Sequence, residues 1–352
     1  MAPPRRVRGE TLTLRRTGLS DIELFQARES IYLGQYPTQG RFQVAPNAQA
    51  VAFTTPGGDS LNIVRRDGRM GSFSGIHRDQ FRFSLDGHTL YAARYYNGSF
   101  GISRIDTRTL EEVSRFNVAN AVWMEACPEG LIVLEYKFAA GVTESMLTLF
   151  TSNDEPRVLA RPNGHPTRFS CAKAAKNVVY FLGSHIWSIA HPGAEPIQIA
   201  DVGYDVQNAE MSPDGRKLVV VTVKDTHLFE DGKLVASLGL SGAHTVWFSR
   251  DGSQFVVANQ QKAHWQSGEK TAELLADEKS PIRTARFAPM SPWVMVARGQ
   301  DAVRWNPSQS DSETIASAEE NQEMLGVDVF AGGVVIWTGT TWELEKRFRS
   351  LD

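Results

Sequence analysis

At 352 residues, with 41% hydrophobic and 22% charged side chains, the chain has the composition of a folded globular protein and not of a disordered one. Its formal net charge of -3 excludes a global bias toward nucleic acid or anionic membrane. No apolar run is long enough to span a bilayer as a helix.

The chain opens with Arg5, Arg6, Arg8, Arg15 and Arg16 and no apolar stretch behind them, so this segment does not read as a secretory signal. A solvated tail or a first strand is expected, with a phosphate-binding arm as the lesser alternative. Asp21 to Phe25 and Ile31 to Tyr36 follow as strand candidates. From about Arg41 a pattern repeats. Phe83-Ser84-Leu85-Asp86-Gly87 precedes Leu90 to Ala93, Met211-Ser212-Pro213-Asp214-Gly215 precedes Leu218 to Val221, and Phe248-Ser249-Arg250-Asp251-Gly252 precedes Phe255 to Ala258. Asp-Gly between two apolar runs is a hairpin signal, because Gly takes positive φ without a Cβ penalty and Asp tolerates the left-handed region. Weaker copies lie at Val44 to Ala48, Ala126 to Gly130, Phe169 to Cys171, Phe287 to Met290 and Val329 to Gly333. The copies are spaced by roughly 37 to 43 residues, close to the period of propeller blades.

A shorter third strand follows each hairpin, as in Gly101 to Asp106, Ile186 to Ile189 and Thr226 to Phe229. A fourth follows a polar turn, as in Lys233 to Leu238 and Thr271 to Leu275. No stretch holds the 3.6 period long enough for a long helix. The expectation is an all-β, closed β-propeller of about eight four-stranded blades, with seven as the alternative, in one domain spanning 1–352. The last copy has too few residues for a full blade, so the N-terminal segment is expected to close it beside Thr341 to Leu344.

The hairpins at Phe83, Met211 and Phe248 resemble those of WD40-like and TolB-type propeller repeats. His264 to Lys270 and Ile105 to Thr109 are similar to the corner that ends a WD40 third strand. No Trp-Asp dipeptide occurs there: Trp265 is followed by Gln266, and Trp305 by Asn306.

Cys127 and Cys171 are too few for a disulfide framework and read as small buried residues of a reducing, cytoplasmic compartment. His-x-x-x-His, Cys-x-x-Cys, Gly-x-Ser-x-Gly and phosphate-loop spacings are absent, so neither metal, cofactor nor catalytic residue is assigned. Asn208, Glu210, Arg82, Arg168 and Arg286 fall on or beside first strands, which line a propeller channel. Aromatic and basic residues in the connections of one face, namely Arg78, Tyr96, Tyr136, His165, Tyr204 and Arg283, form the candidate binding site. The function read from this pattern is non-catalytic binding or scaffolding of a protein partner, with a small-molecule ligand as a second class. The alternative is a propeller hydrolase or lactonase with its site at the channel mouth. A neutral composition speaks against nucleic acid.

Overall fold

The computed structural model describes residues 6–8, 20–26, 29–36, 42–47, 49–54, 60–96, 99–139, 141–151, 156–191, 193–276, 278–287, 293–318, 323–330 and 333–339. Within them the chain forms antiparallel sheets arranged as a β-propeller. Seven four-stranded blades follow one another in sequence, at 42–74, 76–117, 121–160, 168–201, 206–237, 245–275 and 282–317. A further sheet of five strands is built from both ends of the chain, in the order Arg6–Arg8, Glu29–Tyr36, Ser20–Gln26, Gly333–Gly339, Glu323–Phe330. In that sheet Ser20–Gln26 pairs with Gly333–Gly339 in the register Asp21 with Thr338 through Gln26 with Gly333. The innermost strand of each sheet lies against that of the next. Glu323–Phe330 lies against both Ile282–Phe287 and Phe42–Val44, which closes the ring. Two side chains fasten the closure: the Val44 N–H donates to the Asp328 carboxylate at 2.9 Å, and the Val327 N–H to the Thr284 hydroxyl at 3.1 Å.

Burial explains the strand compositions. Sheets stack face to face around the ring, so a middle strand is covered on both faces and reads as an unbroken apolar run. Ala50–Thr54 is buried throughout, and so is Lys217–Thr222 after its first residue. Outermost strands such as Lys233–Ser237 keep water on one side and are mostly exposed. The core therefore lies between blades, with Phe81, Phe169, Phe181 and Trp305 among its largest fully buried side chains.

The Ser-x-Asp-Gly hairpin is a hydrogen-bonded device. The Ser84 hydroxyl donates to Asp86 at 2.6 Å and accepts from the Thr89 N–H at 3.0 Å, while the Asp86 carboxylate accepts from the His88 N–H. Ser212 with Asp214 and Lys217, and Ser249 with Asp251 and Gln254, repeat it. The Ser249 hydroxyl, with the N–H and hydroxyl of Ser253, holds the Asp251 carboxyl below its ordinary value. Only the glycine takes positive φ, at 72° in Gly87 and Gly252 and 78° in Gly215. The aspartates do not use the left-handed region; they are there as acceptors.

Gly215→Val is therefore expected to lose about 1–2 kcal/mol more than Gly215→Asn, since a β-branched residue resists this φ and Asn does not. A Cβ at Gly215 meets the Asn177 side-chain amide at 2.9 Å in either variant, so the difference isolates the backbone. Denaturant unfolding of the two proteins checks this, and equal losses would remove the turn from the account.

The two cysteines correct the expectation of free thiols. Cys127 ends the inner strand of one blade and Cys171 that of the next, and the radial stacking brings them to 6.4 Å between Cα atoms in a disulfide. Forty-four residues separate them in sequence, so no local spacing announces the bond. With both thiols bonded, cysteine usage no longer favours a reducing, cytoplasmic compartment.

Candidate functional site

The inner strand of each of the eight sheets presents one side chain to the channel, just before the apolar residue at or next to the strand's end. In chain order these are Gln43, Arg82, Glu125, Ser170, Glu210, Trp247, Arg286 and Asp328. Period-two alternation puts the residue two places earlier on the same side, which adds Trp123, Arg168 and Asn208. These strands enclose a cavity of about 460 Å³, lined among others by Arg82, Trp123, Glu125, Lys173, Glu210 and Arg286.

Charges there are paired across blades. Arg82 meets Glu125 at 3.4 Å, Lys173 meets the other oxygen of Glu125 at 3.2 Å, and Arg286 meets Asp328 at 3.0 Å. Two indoles serve as platforms. Arg82 and Arg168 lie 5.0 Å and 4.5 Å from the Trp123 ring, and Arg286 lies 4.3 Å from that of Trp247. Cation–π contacts of this kind are worth about 0.5–2 kcal/mol each, more where water is excluded. Arg168 donates to the Asn208 carbonyl oxygen, and burial pulls its pKa below the ordinary value. Glu210 makes no hydrogen bond or ion pair among the described residues. Enclosure in the channel wall pushes its carboxyl up to about 7, against the pull of Lys173, Arg286 and Arg82 and with repulsion from Glu125.

A polar belt runs along the channel at the end where the connections between blades arrive. Arg168 donates to Asn208, whose amide donates to the His244 carbonyl at 3.2 Å. His244 Nε2 donates to the Arg283 carbonyl at 2.9 Å, and Arg283 donates to Glu323 at 2.8 Å. Arg168, Asn208, Arg283 and Glu323 on the inner strands of four sheets, and His244 just before the inner strand of a fifth, are joined in this way. Burial lowers the His244 pKa, so at neutral pH the ring is uncharged and donates through that nitrogen.

The structure separates the residues singled out from sequence. Tyr136 and His165 come together, with ring centres 5.4 Å apart. The Tyr136 hydroxyl donates to the Pro166 carbonyl at 2.6 Å, and Ser145 Oγ lies 3.3 Å from His165 Nδ1. Arg283 belongs to the belt, and Tyr204 stands exposed in the connection between two other blades. The side chains of Arg78 and Tyr96 lie outside the described residues. Four of the positions correct the expectation of loops: Arg78, Tyr96, Tyr136 and Arg283 lie within strands Ile76–Phe83, Thr89–Tyr96, Gly130–Ala139 and Ile282–Phe287. The strands run on because cross-strand pairing continues past the point where turn-forming residues begin; Tyr136 pairs with Ser145, and Tyr96 with Ser99. Trp123, Glu125, Lys173, Trp247 and Asp328 escaped sequence reasoning. Aligning the copies on the apolar residue that precedes each hairpin turn (Phe83, Ala126, Met211, Phe248, Phe287, Val329) would have placed all of them except Lys173 beside Arg82, Glu210 and Arg286, or two residues before.

The sequence matches no family model and no curated protein. The structure is similar to that of Hsv2 from Kluyveromyces lactis, with a TM-score of 0.56 at 11% identity, over 78% of this chain and 96% of that one. Hsv2 from Kluyveromyces marxianus gives 0.55 at 12% identity, over 78% and 95%. At such identities the likeness shows a propeller fold and nothing of ligand or partner.

Proposed function

We propose that the chain is a non-catalytic binding propeller, and that a protein partner docks on the face where the tips of the middle hairpins and the connections between blades emerge. One observation carries this reading. The hairpins of two adjacent blades, Thr89–Tyr96 with Ser99–Asp106 and Gly130–Ala139 with Val142–Phe150, outgrow the five- and six-residue middle strands of the other blades. They hold Tyr95, Phe138 and Val142 in water at 59%, 78% and 61% exposure. Neighbouring exposed aromatic and aliphatic side chains on a rigid sheet support are the anchors typical of an interface centre.

The test compares two faces. Tyr95→Ala with Phe138→Ala is expected to weaken a partner recovered by pull-down at least tenfold in calorimetry, at roughly 2 kcal/mol for a central anchor. Arg216→Ala with Arg250→Ala, on the Asp-Gly hairpin face, is expected to leave it unchanged. Loss confined to the hairpin-face pair would place the interface on the opposite side. A channel hydrolase is the second reading, favoured by the raised Glu210 carboxyl. It requires turnover of ester or lactone substrates that Glu210→Gln abolishes.

A further inference from the structure

The covalent link between the third and fourth blades borders a cleft. Cys127 closes the inner strand Ala121–Cys127 and Cys171 the inner strand Arg168–Cys171, and both line a cavity of about 20 Å³. That is room for about one water-sized group, and a thiol sulfur is of similar size. Leu149 and Leu159 are among its apolar walls, and Glu129 and Lys176 pair at 2.5 Å on its exposed side. The two sulfurs differ in their surroundings. Cys127 is 8% exposed and Cys171 1%. Each has a backbone carbonyl oxygen nearby, that of Glu125 at 3.8 Å from Cys127 and that of Ala126 at 3.7 Å from Cys171. Among the described residues only Cys171 also has a cation, the Lys173 ammonium at 3.9 Å. Glu125 at 3.2 Å and the Ala126 carbonyl at 3.3 Å hold that ammonium in place.

We infer that this disulfide is a thiol-exchange site with a fixed direction: an incoming thiolate bonds to Cys127 Sγ, and Cys171 Sγ leaves as a thiolate beside Lys173. The co-reactant is a dithiol. Its first thiolate attacks Cys127, the bond between the two cysteines breaks, and its electron pair goes to Cys171. The dithiol's second sulfur, once deprotonated, then attacks its first and releases Cys127 as a thiolate. The dithiol is oxidised to a disulfide, the protein disulfide is reduced by the same two electrons, and the dithiol's two protons pass to the cysteines or to solvent.

Exchange is fast where the attacked sulfur can be reached and the departing thiolate is stabilised. The greater exposure of Cys127 meets the first condition and Lys173 beside Cys171 meets the second, since a neighbouring ammonium favours the thiolate form. Both features point the same way. A disulfide that only stapled two blades would need neither. Its opening releases two inner strands that carry Glu125 and Arg168 in the channel wall. The inference goes beyond the docking face and uses none of its residues.

The experiment uses the full chain at about pH 8, well below its melting temperature, with dithiothreitol as the dithiol and glutathione as a trapping monothiol. Brief exposure to glutathione, then acid quenching, alkylation and peptide mass mapping, is expected to find glutathione on Cys127 and the alkyl group on Cys171. The rate of opening by dithiothreitol should rise in proportion to its concentration. Lys173→Met, which keeps the length of the side chain and removes its charge, should open about tenfold more slowly, and Lys173→Arg should stay close to wild type. The sign separates two roles for Lys173: if it only steadied the strand through Glu125, its loss would speed opening. The inference is overturned by two alkylatable thiols in the untreated protein, by absence of a glutathione adduct, or by glutathione on Cys171 as often as on Cys127. It is equally overturned by a rate that ignores dithiothreitol concentration, which would mean that opening follows unfolding. Lys173→Met opening as fast as wild type, or Lys173→Arg as slowly as Lys173→Met, would also overturn it. Should the Lys173 variants fail to fold, the glutathione map and the concentration dependence of the wild-type protein decide the matter.

Discussion

A chain that begins at Gly40 is expected to lose soluble expression or, if recovered, to melt roughly 10 °C or more below the full-length protein. The deletion removes Ser20–Gln26 and with it every backbone hydrogen bond from Asp21 through Gln26 to Gly333–Gly339. Only the hairpin of Glu323–Phe330 and Gly333–Gly339 would remain of the sheet that closes the ring. A two-stranded hairpin is marginal by itself, and its outer strand would offer unpaired N–H and C=O groups to other chains. The same hairpin carries Asp328, which holds Val44 and Arg286, so its loosening reaches both neighbouring blades. Thermal melts and size-exclusion profiles of the two proteins decide the matter. A truncated chain that melts with the full one would show that the N-terminal strands contribute no closure.

The second large effect is expected from the disulfide. Cys127→Ser with Cys171→Ala should destabilise the protein by about 4 kcal/mol on chain-entropy grounds for a loop of this length, or about 5 °C at this chain size. Both replacements come from the protein's own repeat: Ser84, Ser212 and Ser249 stand where Cys127 does, and Ala126 where Cys171 does. Steric strain is therefore small, and the loss reports the cross-link. Reductant should bring the wild-type protein down to the variant and leave the variant where it is. Identical melting with and without reductant, together with two alkylatable thiols in the untreated protein, would show that the bond does not form in solution. Lys173 lies 3.9 Å from the Cys171 sulfur and also pairs with Glu125, so the cross-link sits beside the charged groups of the channel.

The sequence alone was enough for the blade plan, because every element of it is local. A serine hydroxyl, an aspartate acceptor and a glycine at positive φ act within five residues of one another at Ser84, Ser212 and Ser249. Alternation and β-branched runs then mark the strands on either side. Arg82, Glu210 and Arg286 could be placed on channel strands from the repeat alone. What they meet could not be read that way. Arg82 finds Glu125, Arg286 finds Asp328 and Cys127 finds Cys171 some forty residues away, each on a neighbouring blade. The unpaired state of Glu210 is likewise visible only once all blades are in place. Period and turn chemistry fix the geometry within a blade. The pairing of charges and sulfurs depends on the rotation from one blade to the next, which no local spacing encodes, so only the closed ring decided it.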